Sequence, residues 1–309
     1  MTVLSCRPIL RQPGRYVGWP TVTLTRQGEL LVVFSGDRDR HICPFGKTQM
    51  IRSRDGGRRW SDVETINDGP LDDRDAGIIE TARGTLLLTW FTSLAYAEDF
   101  DNRRQAYGDA VVNRWSAHLA RNTDDYWFRC LGSWVRRSED GGRTWGKPVR
   151  VMGSAPHGAV QLCDGRLLYV GRTLRAIYRR EAILVQVSED DGLTWDVTGV
   201  IPPPSPEWMR FLSEPHAVEC EDGRIVVMIR CRVKAAHDTS FLHQSESLDG
   251  GRTWSVARPT AVWGYPPHLL RRRNGTLLLS FGHRREPFGE RAVLSADGGR
   301  TWDVAGAFQ

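Results

Sequence analysis

Ser138-Glu139-Asp140-Gly141-Gly142-Arg143-Thr144-Trp145 decides the fold, because its pattern recurs along the whole chain. It is preceded by Ser53 to Trp60 and followed by Ser188 to Trp195, Ser247 to Trp254 and Ser295 to Trp302, giving five copies of S-x-D-x-G-x-x-W. Ser and Asp side chains at this spacing bond the amides of a tight turn, Gly takes the left-handed backbone position, and Trp folds back as a cover. Each copy sits between strand-like runs, such as Thr48 to Arg52 before and Asp62 to Ile66 after. The boxes therefore read as hairpin turns with a structural role.

Upstream of each box lies a second hairpin, turning at Gln27-Gly28, Arg83-Gly84, Asp164-Gly165, Asp222-Gly223 and Asn274-Gly275. Each unit reads strand, turn, strand, loop, strand, box, strand. Four antiparallel strands repeated at this period describe a propeller blade. At about 150 residues per domain, 309 residues would suggest two domains. The repeats instead predict one all-β propeller domain over residues 1–309. The second unit is interrupted by residues 95–129, where Val111, Val112, Trp115, Leu119 and Trp127 recur at helical spacing. This insertion is expected to form a lid or rim.

Composition narrows the function. Hydrophobic residues at 40% and charged residues at 26% support a packed core. No apolar run is long enough to span a membrane. Lysine occurs only at Lys47, Lys147 and Lys234, and the many arginines are scattered under a net charge of +5, so nucleic acid is not an expected partner. Six cysteines without a CxxC pair read as reduced thiols, and Met1 to Gln12 shows no secretory pattern, which predicts a cytoplasmic location. No cofactor is expected.

Propeller geometry places the start of each inner strand and the end of each second strand at one end of the channel. The inner strands begin at Gly18-Trp19-Pro20, Asp72 to Gly77, Pro156-His157, Glu214-Pro215-His216 and Pro267-His268. The second strands end at Asp37 to His41, Gly171-Arg172, Arg230-Cys231-Arg232 and His283-Arg284-Arg285. The expected lining is thus Arg38, Asp75, Arg172, Arg230 and Arg284 with His157, His216 and His268. Guanidinium forks match carboxylates in bidentate fashion, and neighbouring carboxylates can divide acid and base roles. The three histidines allow an alternative in which neutral imidazoles hold a transition metal.

The box sequence resembles that of the sialidase (neuraminidase) superfamily, the BNR or Asp-box proteins, over Pro20 to Trp302. That resemblance implies a six-bladed propeller, with five blades countable and a sixth to which Val3 to Leu10 would contribute a strand. It also implies an exo-acting glycosidase for a terminal carboxylated sugar, with an arginine triad, a tyrosine nucleophile paired with glutamate, and an aspartate acid. Ser213 to Glu219 followed by Met228-Ile229-Arg230 is similar to the segment carrying the glutamate and second arginine, so Glu214 is the implied base partner and Arg230 the clamp. Arg284, Arg285 or Arg291 corresponds to the third arginine. Asp39 or His41 occupies the acid loop; the family's nucleophilic tyrosine belongs to the blade after the last box, and Tyr265, at an inner-strand start, is the candidate to serve in its place. The family's Arg-Ile-Pro position reads Gly18-Trp19-Pro20 here. Two other readings share the scaffold: elimination or hydrolysis of another acidic sugar using the histidines, and a non-catalytic binder of anionic glycans. An unpaired blade edge would favour a homo-oligomer.

Overall fold

The computed structural model describes residues 6–97, 100, 104–121, 123–174, 177–178, 180–233 and 239–308. They form five antiparallel sheets, each with the path of a propeller blade. The first holds β1 (Tyr16–Leu24), β2 (Leu30–Arg38), β3 (Lys47–Ser53) and β4 (Glu64–Asn67), and the second β5 (Asp72–Glu80), β6 (Leu86–Ser93), β7 (Ser133–Ser138) and β8 (Val149–Val151). The third combines β9 (Gly153–Ser154), β10 (Val160–Gln161), β11 (Leu167–Thr173), β12 (Ile183–Ser188) and β13 (Asp196–Ile201). The fourth holds β14 (Leu212–Glu219), β15 (Ile225–Cys231), β16 (Phe241–Ser247) and β17 (Arg258–Trp263), and the fifth β18 (Pro267–Arg271), β19 (Leu277–His283) and β20 (Gly289–Ser295).

The expected sixth blade is corrected by this count: the all-β fold has five blades. Cys6 to Leu10 form no strand, and Val3 to Ser5 lie outside the described residues. After the last box the chain instead returns to the fifth sheet, where Ala292 and Phe308 exchange backbone hydrogen bonds of 3.0 and 3.1 Å.

The boxes close as their chemistry dictates. In every copy the Ser hydroxyl donates to the Asp carboxylate at 2.7–2.9 Å and accepts the amide of the second glycine position at 2.7–2.9 Å. The Trp60, Trp195 and Trp254 indoles then donate to the carbonyls of Gly57, Gly192 and Gly251.

By contacts the chain divides into two compact units, Pro8–Val151 and one based on Met152–Gln309. In the first, Leu31, Val33 and Met50 pack against Ile78, Leu86, Leu88 and Trp90, joining the first two sheets. In the second, Leu168, Val170, Val185 and Ile201 pack on Ala217, Ile225 and Val227, while Val226, Met228 and Leu242 pack on Leu269, Leu277 and Val293.

The insertion is helical, as its spacing predicts, with α1 (Asp109–Leu119) and α2 (Asp124–Cys130) between β6 and β7. Trp115 and Trp127 are buried with Tyr96, Phe100, Tyr107 and His118. Among the described residues no helix is long and apolar enough to cross a membrane.

Candidate active site

The inner strands are irregular where the sequence places chemistry. β1 bulges between Gly18 and Thr21, β5 between Arg74 and Gly77, and β14 between Ser213 and His216. The residues at these bulges, Trp19, Asp75 and Glu214, all have positive φ, at 55°, 51° and 48°. Non-glycine residues pay for that conformation, and bulges re-aim side chains beside functional sites.

In the second unit, Glu214 is half-buried and its Oε1 accepts a 2.5 Å hydrogen bond from Arg230 Nη1. The Arg230 guanidinium lies 4.4 Å from the centre of the Tyr265 ring, and Arg284 lies 5.1 Å from the same centre. Tyr265 is buried, while Arg284 at the end of β19 is exposed. Glu214 Oε2 and Arg230 Nε are buried without hydrogen-bond partners, so capacity remains on both members of the pair. A carboxylate, an arginine and a tyrosine from β14, β15 and the approach to β18 thus meet, with a second arginine on the same ring.

The three histidines also meet. His216 and His268 stack at 4.3 Å between centroids, and His157 stands edge-on to them at 5.4 and 5.0 Å. His216 Nδ1 accepts the Leu269 amide at 2.9 Å. Burial drives His157 down to about 3 and His268 down to about 4, with His216 also well below the usual imidazole range, so all three are neutral near pH 7. Stacked and edge-on rings do not converge on a point, and among the described residues no group of His, Cys, Asp and Glu is arranged to hold a metal. Arg172 is half-buried and paired with Glu181 at 2.9 Å. Arg291 reaches the Pro287 carbonyl at 3.4 Å.

The first unit holds the remaining expected residues. Arg38 is fully buried, with Nη1 and Nη2 donating to the two carboxylate oxygens of Asp72 at 2.5 and 2.8 Å and Nη2 also donating to the His41 carbonyl at 2.9 Å. Its fork is therefore occupied within the protein rather than presented to a ligand. Asp39 accepts from Arg15 at 2.5 Å, from Arg114 Nη2, and from the Trp115 indole at 3.0 Å. Burial opposes its ionisation, but the Arg114 and Trp115 bonds and the two arginine charges prevail and lower its pKa. Asp39 thus ties the insertion to the first sheet. His41 keeps an exposed ring, bonded through Nδ1 to the Tyr16 hydroxyl at 3.2 Å and edge-on to Trp19 at 5.0 Å. Asp75 is buried, and its amide donates to Ser35 Oγ at 3.1 Å.

Arg74, Asp73 and Arg114 were not singled out from sequence. Asp73 sits fully buried beside Asp72, accepting from Asn67 at 2.7 Å and from the Gly69 amide at 3.2 Å, and burial pushes its carboxyl up to about 7. The run Asp72-Asp73-Arg74-Asp75 was the available signal, since consecutive charges on a strand must place some of them inside.

Five Asp-box hairpins on five blade-like antiparallel sheets define an Asp-box β-propeller of the sialidase superfamily. The family description BNR repeat-like domain matches residues 110–303, and the chain belongs to that family. A sialidase of Micromonospora viridifaciens is 25% identical over 299 residues, covering 77% of this chain. The chain spans only 45% of that relative. Among solved structures, a Dyadobacter fermentans protein of unknown function superposes with a TM-score of 0.74 at 21% identity, covering 97% of this chain and 84% of the other. A leech intramolecular trans-sialidase gives 0.67 at 13% identity, covering 94% and 60% respectively. These likenesses establish the fold.

Proposed function

We propose that the chain is a glycoside hydrolase that removes a terminal carboxylated sugar from a glycan. The observation that carries this reading is the Glu214–Arg230 pair laid against Tyr265, with Arg284 on the same ring. In this reading Tyr265 is the nucleophile: its phenol oxygen bonds to the anomeric carbon as the glycosidic bond breaks, its proton passes to Glu214, and the departing aglycone oxygen takes a proton from solvent water. Arg230 and Arg284 hold the sugar carboxylate, which a bidentate fork suits better than a lysine does. Water then attacks the anomeric carbon, the tyrosine oxygen leaves and recovers its proton from Glu214, and the water's surplus proton passes to solvent. The similarity to a named sialidase supports the substrate class.

Asp39, expected to handle the leaving-group proton, is held ionised by three donors within its own unit. We therefore assign Asp39 to anchoring the insertion. The alternative that uses the histidine trio as acid and base draws less support, because imidazoles pushed down to about 3 and about 4 are weak bases and lack the cationic acid form near pH 7.

A panel of fluorogenic glycosides of neuraminic, glucuronic and galacturonic acids tests the proposal, with unsaturated-uronate absorbance read in parallel. Hydrolysis of at least one acidic glycoside is expected, falling by at least about a hundredfold in Glu214→Gln and Tyr265→Phe. Product absorbance without hydrolysis would replace the assignment with an elimination.

A further inference from the structure

At the strand ends away from Asp39 and Asp72, the first two sheets enclose a cleft that the proposed reaction does not use. Its volume is about 400 Å³, and its charged lining includes Arg26, Arg54, Arg143 and Glu80. Small-molecule sites occupy about 300–1,000 Å³, so the cleft has room for a ligand of modest size. Its walls are clipped from one sheet to the other. The Arg26 amide, in the turn after β1, donates to Glu80 Oε2 at the end of β5 at 2.6 Å. Arg52 Nη1, near the end of β3, donates to the Gly141 carbonyl of the second box at 3.2 Å.

The charges around the cleft are not equally free. Arg52 is held by Glu64 through Nε and Nη2 at 2.7 and 3.1 Å. Glu29 accepts from Arg52 and also from Arg54 Nε at 2.9 Å, which leaves both Nη atoms of Arg54 without a partner among the described residues. Asp140 is occupied within its own box by Ser138, the Arg143 and Thr144 amides and the Thr144 hydroxyl. Glu139 pairs with Arg137 at 3.0 Å. The exposed side chains of Arg26 and Arg143 make no hydrogen bond or ion pair among the described residues. Most of the acceptors are therefore committed inside the protein, while three guanidinium groups keep open donors and Glu80 keeps one open oxygen.

We propose that this cleft binds a small phosphorylated polyol. Its phosphoryl group brings close to two negative charges and three acceptor oxygens to Arg26, Arg54 and Arg143, a match that a carboxylate with one charge and two oxygens does not make. The polyol hydroxyls donate to Glu80 Oε1. A neutral polyol leaves the guanidinium groups unmet, and bare phosphate sets its charge beside Glu80 with no donor between them. The assignment lies wholly within the unit Pro8–Val151 and uses neither Glu214 nor any turnover.

The test is calorimetric titration at low ionic strength with glucose 6-phosphate and glycerol 3-phosphate, against glucose, glycerol and inorganic phosphate. At least one phosphate ester is expected to bind, with its parent polyol and inorganic phosphate each at least about tenfold weaker, the worth of one charge-assisted bond. Arg26→Ala and Arg143→Ala are each expected to weaken binding of that ester about tenfold. Both side chains are exposed, and circular dichroism and melting temperature establish that each variant is folded. Binding of neither ester to the wild type would overturn the site. So would equal affinity for the ester and inorganic phosphate, or ester binding unchanged in both variants, which would place it elsewhere on the chain. Because binding is read without turnover, a chain that binds these esters but hydrolyses no acidic glycoside sinks the enzyme assignment and spares this one. Hydrolysis of acidic glycosides by a chain that binds neither ester does the reverse.

Discussion

Several ionisable residues are better understood by what they are bonded to than by their type. Arg38 belongs to a fully buried bidentate pair, so removing it strands Asp72 as an uncompensated charge. Arg38→Ala is accordingly expected to cost about 3–5 kcal/mol of stability in denaturant unfolding. A well-folded variant that had lost only sugar affinity would contradict that role. The buried acid and the buried bases pull pH dependence in opposite directions. Asp73 is raised to about 7, so its folded form favours the proton, and its contribution declines as pH rises from the normal carboxylate range to about 7. The histidine trio is lowered, so its contribution is present above roughly 6.5 and is lost as pH falls towards 3–4. Asp73→Asn is expected to raise the melting temperature at pH 8 by roughly 2–4 °C more than at pH 5. An equal change at both values would mean that Asp73 is ionised throughout. None of this was legible beforehand: His157, His216 and His268 were placed together by repeat register, but their neutrality depends on burial that only packing reveals.

Elements were read more reliably than residues. The five boxes and the five upstream turns were legible because their side chains bond their own backbone, which makes the signal local. Ser247 illustrates the mechanism: its buried hydroxyl bridges Asp249 and the Gly251 amide at 2.8 and 2.9 Å. Ser247→Ala should therefore cost about 1–2 kcal/mol, with faster amide exchange confined to that hairpin. Exchange spread evenly over the sheet would argue against a local clasp. The insertion was legible as helical from the spacing of Val111, Trp115 and Leu119. Its tether was not, because Asp39 is 75 and 76 residues from Arg114 and Trp115 and no periodicity links them. Asp39→Asn is expected to leave the sheets intact while making the α1 region more sensitive to limited proteolysis. Unchanged cleavage would show that the aromatic packing of Trp115 with Tyr107 suffices by itself. The bulges at Trp19, Asp75 and Glu214 were invisible for a different reason. No glycine marks the residue with positive φ, so the usual sequence signal is missing.

For the molecule as a whole, the repeat count was more informative than the analogy. The repeats named five blades and the resemblance led to six, and the sheets agree with the repeats. In the proposed reading the tyrosine is Tyr265, on the approach to the fifth inner strand. Glu214 and Arg230 were legible as a motif, whereas their contact with Tyr265 required the packing of the fourth sheet on the fifth. The central claim is that this contact is a reaction centre rather than a structural clasp. It is tested most directly by comparing wild type with Glu214→Gln and Tyr265→Phe on fluorogenic glycosides of acidic sugars, with melting temperatures measured in parallel. The account predicts turnover by wild type and its near-complete loss in both variants without loss of fold. Equal turnover in all three folded proteins, or none in wild type across the acidic panel, would contradict it.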